Sequence, residues 1–331
     1  MNKETAMSAI SKNAVTLATL LAALVVALGS SVAVHAQPLS EPSAVAAPQT
    51  TQTGFATPQE AAAALIKAAG NYDLQALTAM FGADGEDMVS TADPVQDKNN
   101  AAAFAERAQK KNSVVVDPKN PNQATLLVGE EEWPLPVPLV KKGSKWYFDS
   151  KTGHDEIVYR RIGANELDAI QVCRGFVEAQ EEYASEVHDD SGINQYAQRT
   201  ISTDGKQDGL AWKKPDGSWE GPVSETVAKA IEQGYTTSGE PFHGYYFKVL
   251  KGQGPAAPNG ELDYVINGVM IGGFALVAWP AEYKVTGVQT FIVSYSGIVY
   301  QKDLGPDTAK VAAAMERYNP DKTWHSTDDN W

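Results

Sequence analysis

The apolar and polar positions change period several times along the chain, and each change predicts an element. Thr57-Pro58-Gln59-Glu60 opens the first helix: Thr57 caps the backbone, Pro58 suits the first helical position and Glu60 reaches back. Ala61 to Ala69 continues it and Gly70 ends it. A second helix is expected over about Asp73–Phe81, stopping at Gly82, and Asp93-Pro94-Val95-Gln96 starts a third that runs to about Lys110. The period then shortens to two. Ser113–Val116, Ala124–Val128, Trp133–Val140 and Lys145–Asp149 read as strands, with a hairpin turn at Lys141-Lys142-Gly143-Ser144.

Helical spacing returns from Asp155 to about Val187. Ile162, Ala169, Ile170, Cys173, Phe176, Val177, Tyr183, Ala184 and Val187 form one stripe, with Glu166, Asp168, Arg174, Glu178, Glu181 and Glu182 opposite. Residues 188–240 are mostly irregular, interrupted by a short helix over Val223–Gln233. Strands follow at Tyr245–Leu250, Tyr264–Ile266, Phe274–Trp279, Gln289–Ser294 and Ile298–Lys302, and a last helix runs from Gly305-Pro306-Asp307 to about Tyr318.

Helices followed by antiparallel strands, twice over, predict an α+β fold. The first set, 55–152, suggests a cone-shaped NTF2-like or cystatin-like domain with a pocket between helix and sheet. The second, 153–331, suggests a long helix packed on an antiparallel sheet, as in pilins. Ahead of both, Lys3 and Lys12 flank a polar start, Ala14–Gly29 is an apolar run too short to span a membrane comfortably, and Val34-His35-Ala36 has small residues at the cleavage positions. Residues 1–36 are therefore expected to be a secretory signal with cleavage after Ala36, and 37–54 a flexible tether. No Cys follows the apolar run, which excludes lipoprotein attachment and predicts no stable membrane anchor after cleavage.

Composition narrows the function. The 331 residues are 43% hydrophobic and carry a net charge of −14, an ordinary globular balance with an acidic surplus. Such a chain repels nucleic-acid phosphate and anionic headgroups, so nucleic-acid binding is not expected. The single cysteine, Cys173, admits no internal disulfide and no cysteine zinc site, and its helical stripe predicts a buried thiol.

Candidate chemistry is sparse. His243 precedes a strand beside Gly244, with Asp263 and Tyr264 further on, and a histidine with a carboxylate can act as a general base near neutral pH. The competing reading is a histidine closing a hydrogen bond at a strand end. His188 with Asp189 and Asp190 lacks a second histidine at ligand spacing, so a solvated helix end is the simpler reading. Asp204-Gly205-Lys206-Gln207-Asp208-Gly209 resembles a calcium loop, but Lys206 stands where an oxygen ligand belongs. Glu130-Glu131-Glu132 reads as a solvated loop. No Gly-x-Ser-x-Gly elbow and no complete phosphate loop occurs. Trp212, Trp219, Trp279 and Trp324, with eight Tyr between Tyr235 and Tyr318, suit either peptide and glycan contact or core packing.

Several motifs in order carry a resemblance. They are Asp208-Gly209-Leu210-Ala211-Trp212, Phe242-His243-Gly244-Tyr245-Tyr246-Phe247, Gly268-Val269-Met270-Ile271-Gly272-Gly273-Phe274-Ala275 and Ala278-Trp279-Pro280-Ala281-Glu282-Tyr283. Gly287-Val288-Gln289-Thr290-Phe291-Ile292, Val299-Tyr300-Gln301-Lys302-Asp303-Leu304-Gly305 and Pro320-Asp321-Lys322-Thr323-Trp324 complete the set. From about Phe55 to Trp324 the chain resembles the bacterial DUF2950 family of uncharacterised exported proteins, which implies a Gram-negative envelope location and carries over no catalytic residue. Ala179-Gln180-Glu181-Glu182-Tyr183 and the course from Ala278 to Phe291 are also similar to the globular part of type II secretion pseudopilins. The prepilin start sequence is missing, so pilus assembly is not implied.

The expectation is an exported periplasmic or secreted protein that binds or scaffolds without catalysis, using no cofactor and no metal. Its partner would be an envelope protein or a glycan, and the candidate binding residues are His243, Tyr245, Asp263, Trp279 and Tyr283. The alternative is a periplasmic hydrolase or a small-ligand carrier using the N-terminal pocket or the His243 region.

Overall fold

The computed structural model describes residues 52–328, apart from 189–190, 224, 227–229, 231–232, 234 and 236–239. The expected signal segment and most of the expected tether lie outside the described residues, as does much of the helix expected over Val223–Gln233.

The helix signals at the start are obeyed. α1 (Pro58–Gly70) is capped by Thr57, which accepts from Glu60 N, while the Glu60 carboxylate accepts from Ala56 N. α2 (Leu74–Phe81) is capped by Asp73 and ends at Gly82, whose φ of +73° a side chain would resist. A 3-10 turn (Ala83–Gly85) and the short α3 (Glu86–Val89) lead to α4 (Pro94–Lys110), capped by Asp93.

Five strands follow: β1 (Asn112–Asp117), β2 (Asn120–Val128), β3 (Trp133–Pro134), β4 (Leu139–Lys142) and β5 (Lys145–Phe148). They pair antiparallel in the order β1-β2-β4-β5, with β3 added to β2. The strand expected over Trp133–Val140 is thus broken. Pro134, Pro136 and Pro138 remove every second backbone donor, and only the two ends join the sheet. Leu65, Leu77, Phe81, Leu126, Leu139 and Phe148 anchor the first core between these helices and the sheet.

α5 (Ser150–Tyr183) is a single helix of 34 residues, about 51 Å at 1.5 Å per residue. It begins five residues before the expected start, because Gly153 lets it lie against the loop before β4. A Cβ on Gly153 would stand 2.6 Å from the Val137 Cα.

Beyond α5 come β6 (Arg199–Ile201), β7 (Gly209–Lys213) and β8 (Trp219–Glu220), then β9 (Tyr245–Leu250) and β10 (Gly252–Gln253). Next are β11 (Leu262–Asp263), β12 (Val265–Ile266), β13 (Val269–Met270), β14 (Ala275–Pro280), β15 (Gln289–Ser294) and β16 (Tyr300–Asp303). α6 (Thr308–Ala313) and β17 (His325–Ser326) end the chain. The main sheet runs β17-β16-β15-β14-β9, antiparallel throughout, while β6 pairs parallel with β7. β14 is buried along its whole length and reads as a continuous apolar run for that reason. α5 packs Cys173, Phe176 and Val177 on this sheet. The molecule is α+β.

A seam of buried hydrogen bonds joins the two cores. Asp93, 1% exposed, accepts from Gln96 N through Oδ1 and from both Gly244 N and the Tyr235 hydroxyl through Oδ2, each at 2.9 Å. Ala92 N donates to Glu282 at 3.1 Å. Asn165 on α5, also 1% exposed, accepts from Gln96 Nε2 and donates to the Thr286 carbonyl, both at 2.9 Å. No described helix is long and apolar enough to cross a membrane.

Candidate functional site

The first core is not filled. It wraps a cavity of about 290 Å³ lined by Leu65, Leu77, Phe81, Met88, Phe104, Leu135 and Ile157, with Asp97, Asn100, Arg160 and Arg161 among the polar groups. At roughly 30 Å³ per atom-sized share of a liquid, that is room for about ten non-hydrogen atoms. Asn100, Phe104 and Trp133 also line a neighbouring hollow of about 280 Å³, which reaches Arg107 and Glu131. Trp133 stands between the two spaces, partly exposed, with the Arg160 guanidinium 5.0 Å from its ring centre.

Arg161 is the unusual wall group. It sits on α5 four residues after Ile157, on the face turned toward α3. Its Nη1 donates to the Asp87 carbonyl at 2.7 Å and its Nη2 to the Met88 carbonyl at 2.8 Å. Burial draws its pKa below the ordinary guanidinium value, against the pull of Asp97, Asp87 and Glu282. Burial likewise pushes the Asp97 carboxyl above its usual range, although Thr91 N and the Thr91 hydroxyl donate to it at 2.6 and 3.0 Å.

Each of the five residues expected to bind is engaged within the fold. His243, at φ +49°, lies before β9, stacked on Phe242 with centroids 4.2 Å apart. The carboxylate beside it is Asp168 of α5, 2.8 Å from Nδ1, and not Asp263. Nε2 faces Gln233 at 3.3 Å, so both ring nitrogens are engaged. Asp263 lies instead on β11, paired with the Arg317 guanidinium at 2.5 Å. The sequence places Asp263 nearer to His243 than Asp168 is, but the packing of α5 on β14 and β15 decides the partner. Tyr245 is completely buried under the sheet, its hydroxyl donating to the Gln289 carbonyl at 2.9 Å. Trp279 faces Tyr246 across the β14–β9 ladder at 5.7 Å. Tyr283 is tied to Asp303 at 3.1 Å.

Other residues singled out by type are also engaged. His188 Nε2 donates to the Tyr183 carbonyl at 2.9 Å and the ring stacks on that of Tyr183, while Asp189 and Asp190 lie outside the described residues. In the 204–209 loop, Asp208 binds Thr203 N and the Thr203 hydroxyl and faces Arg199. Glu130 and Glu132 flank Lys111. Cys173 is fully buried, and burial pushes its thiol up to about 12. Among the described residues no group of three or more His, Cys, Asp or Glu is arranged to hold a metal.

An open, acidic cleft of about 930 Å³ lies beside the seam, lined by Asp84, Glu86, Asp87, Asp155 and Glu282 with Lys151 and His154. His154 binds Asp155 through Nδ1 at 3.0 Å and Asp87 through Nε2 at 2.8 Å. Hydrogen bonding to Asp155 and then Asp87 raises its pKa and favours the imidazolium. Sequence reasoning left out His154, Asp168 and Arg161. The usable signal was at Arg161, a cation set among Ile157, Val158 and Ile162 on one helix face.

No curated protein and no solved structure matches the chain. A family model described as "Protein of unknown function (DUF2950)" matches residues 52–327. Both cores, the seam and the cavity lie within that span, and the chain belongs to this family.

Proposed function

We propose that this chain is an exported, non-enzymatic binding protein of the cell envelope, and that its ligand site is the cavity in the first core. The cavity carries the reading: a space of about 290 Å³ with apolar walls and a few convergent polar groups, Asn100, Asp97 and Arg161, is the ordinary form of a small-ligand pocket. The engagement of His243 by Asp168 and Gln233 favours a structural role for that ring over the hydrolase reading. Export is supported by the three-part pattern of residues 1–36, and a periplasmic rather than nucleic-acid-bound life by the charge of −14. The helices lying on an antiparallel sheet support an NTF2-like first half, and α5 ahead of β9, β14 and β15 supports a pilin-like second half.

The test uses protein purified from a periplasmic extract, which should begin at Gln37. Thermal denaturation with 1-octanol, an apolar probe of the cavity's capacity, should raise the midpoint of the full chain. The variant Ala101→Phe, which places a ring in the cavity, should abolish that rise. An equal rise in both proteins would overturn the assignment of the site.

A further inference from the structure

We propose that the cavity takes a medium-chain monocarboxylate, with the apolar tail against Leu77, Phe81, Met88 and Ile157 and the carboxylate on the Arg161 guanidinium. This rests on the cavity being the ligand site. Capacity sets the size of the ligand, since about ten non-hydrogen atoms at roughly 30 Å³ each is the size of octanoate.

Charge sets the head group. Arg161 lines the cavity with no carboxylate within ion-pairing distance among the described residues, and its partners are the neutral carbonyls of Asp87 and Met88. Two of its five N–H groups are thereby used, and its planar fork suits bidentate contact with a carboxylate. The other two charges in the wall are already occupied. Asp97 receives Thr91 N and the Thr91 hydroxyl, and Arg160 is paired with Glu156 at 2.6 Å and lies over Trp133. Of the two cations in the wall, Arg161 alone has only uncharged hydrogen-bond partners, with Asp97, Asp87 and Glu282 acting on it from beyond ion-pair distance, so a carboxylate in the cavity would be its first direct ion-pair contact.

The ligand supplies no covalent step, so the test is one of binding. Titration calorimetry on the full chain at neutral pH compares octanoate, 1-octanol and octylamine, which differ in the head group alone. Octanoate is expected to bind about tenfold more tightly than octanol, and octylamine more weakly than either. In Arg161→Met the octanoate advantage should vanish while octanol binding persists, which also shows that the variant is folded. Arg161→Lys, keeping the charge and losing the fork, should retain part of the advantage. Equal binding of all three probes would overturn the head-group assignment and leave the cavity in place as the site. Failure of all three to bind would overturn both readings. Should Arg161→Met also lose octanol, octanoate against octanol in Arg161→Lys decides: a retained preference supports the assignment and an absent one overturns it.

Discussion

The two cores of this protein solve the same problem differently. The second, built on β14 and β15, has no slack. Phe291, Ile292, Val277 and Ala278 show no exposure, and the Tyr245 and Tyr264 hydroxyls are bonded inside it, to the Gln289 carbonyl and to Gln253, at 2.9 Å. The first has comparable walls around a space left open, with a guanidinium in the wall. Close packing is what stability alone would select. A cavity that persists in one core beside a filled neighbour marks the place where the fold gives up contacts, and binding is the ordinary reason for doing so.

Four substitutions test how far that contrast extends. The largest effect belongs to the seam on which both cores lean. Asp93→Ala removes the α4 cap and strands the Gly244 N–H and the Tyr235 hydroxyl, and should cost about 3 kcal/mol in urea denaturation. A single transition at lower urea would show that the seam holds the cores as one unit, and two separated transitions would show that they unfold apart. Next in size is one exchange made in both places. Ala278→Leu should cost about 1–3 kcal/mol by overpacking β14, whereas Ala101→Leu in the cavity wall should be neutral or stabilising by about 1 kcal/mol. Equal costs would mean that the first core is as tight as the second.

The smallest effect concerns His154, whose hooks to Asp87 and Asp155 hold α3, one wall of the cavity, against α5. Its folded pKa is raised above 6.5, so its contribution is complete below that value and fades as the pH climbs through the folded value. The thermal midpoint of the native chain should therefore fall, relative to that of His154→Gln, between about pH 6 and pH 8. A constant difference would show that the ring serves α3 without its charge.

Local signals were the legible ones. Thr57 and Asp93 cap the helices whose starts they were expected to mark, and Asp73, expected as the first residue of the second helix, caps it, because a cap is settled within three or four residues. The stripe from Ala169 to Tyr183 joins the core of the main sheet as its period requires, whereas Val187, expected at its end, lies beyond α5 and is exposed. What failed depended on distance or on competing terms. Three alternate prolines cut the Trp133–Val140 strand despite its apolar pattern. His243 found Asp168, 75 positions away, because α5, packed on β14 and β15, brings that carboxylate to the segment before β9. The expected site residues were chosen by chemical type, and type does not separate Tyr245, sealed under a sheet, from a residue that lines a cavity. The cavity itself is a volume, and no spacing of residues along a chain encodes a volume.

The seam also sets an order of events in time. Its bonds join Asn165 to Thr286, Asp93 to Gly244 and Ala92 to Glu282, pairs 121, 151 and 190 positions apart. Closing loops of that length is slow, and it is rewarded only after both partners are in place. The helices and hairpins of each core can assemble on short contacts, while the seam must wait for the last third of the chain. It is then the final latch of the folding reaction and the first to open in reverse, so a weakened seam speeds unfolding and leaves the rate of folding almost untouched.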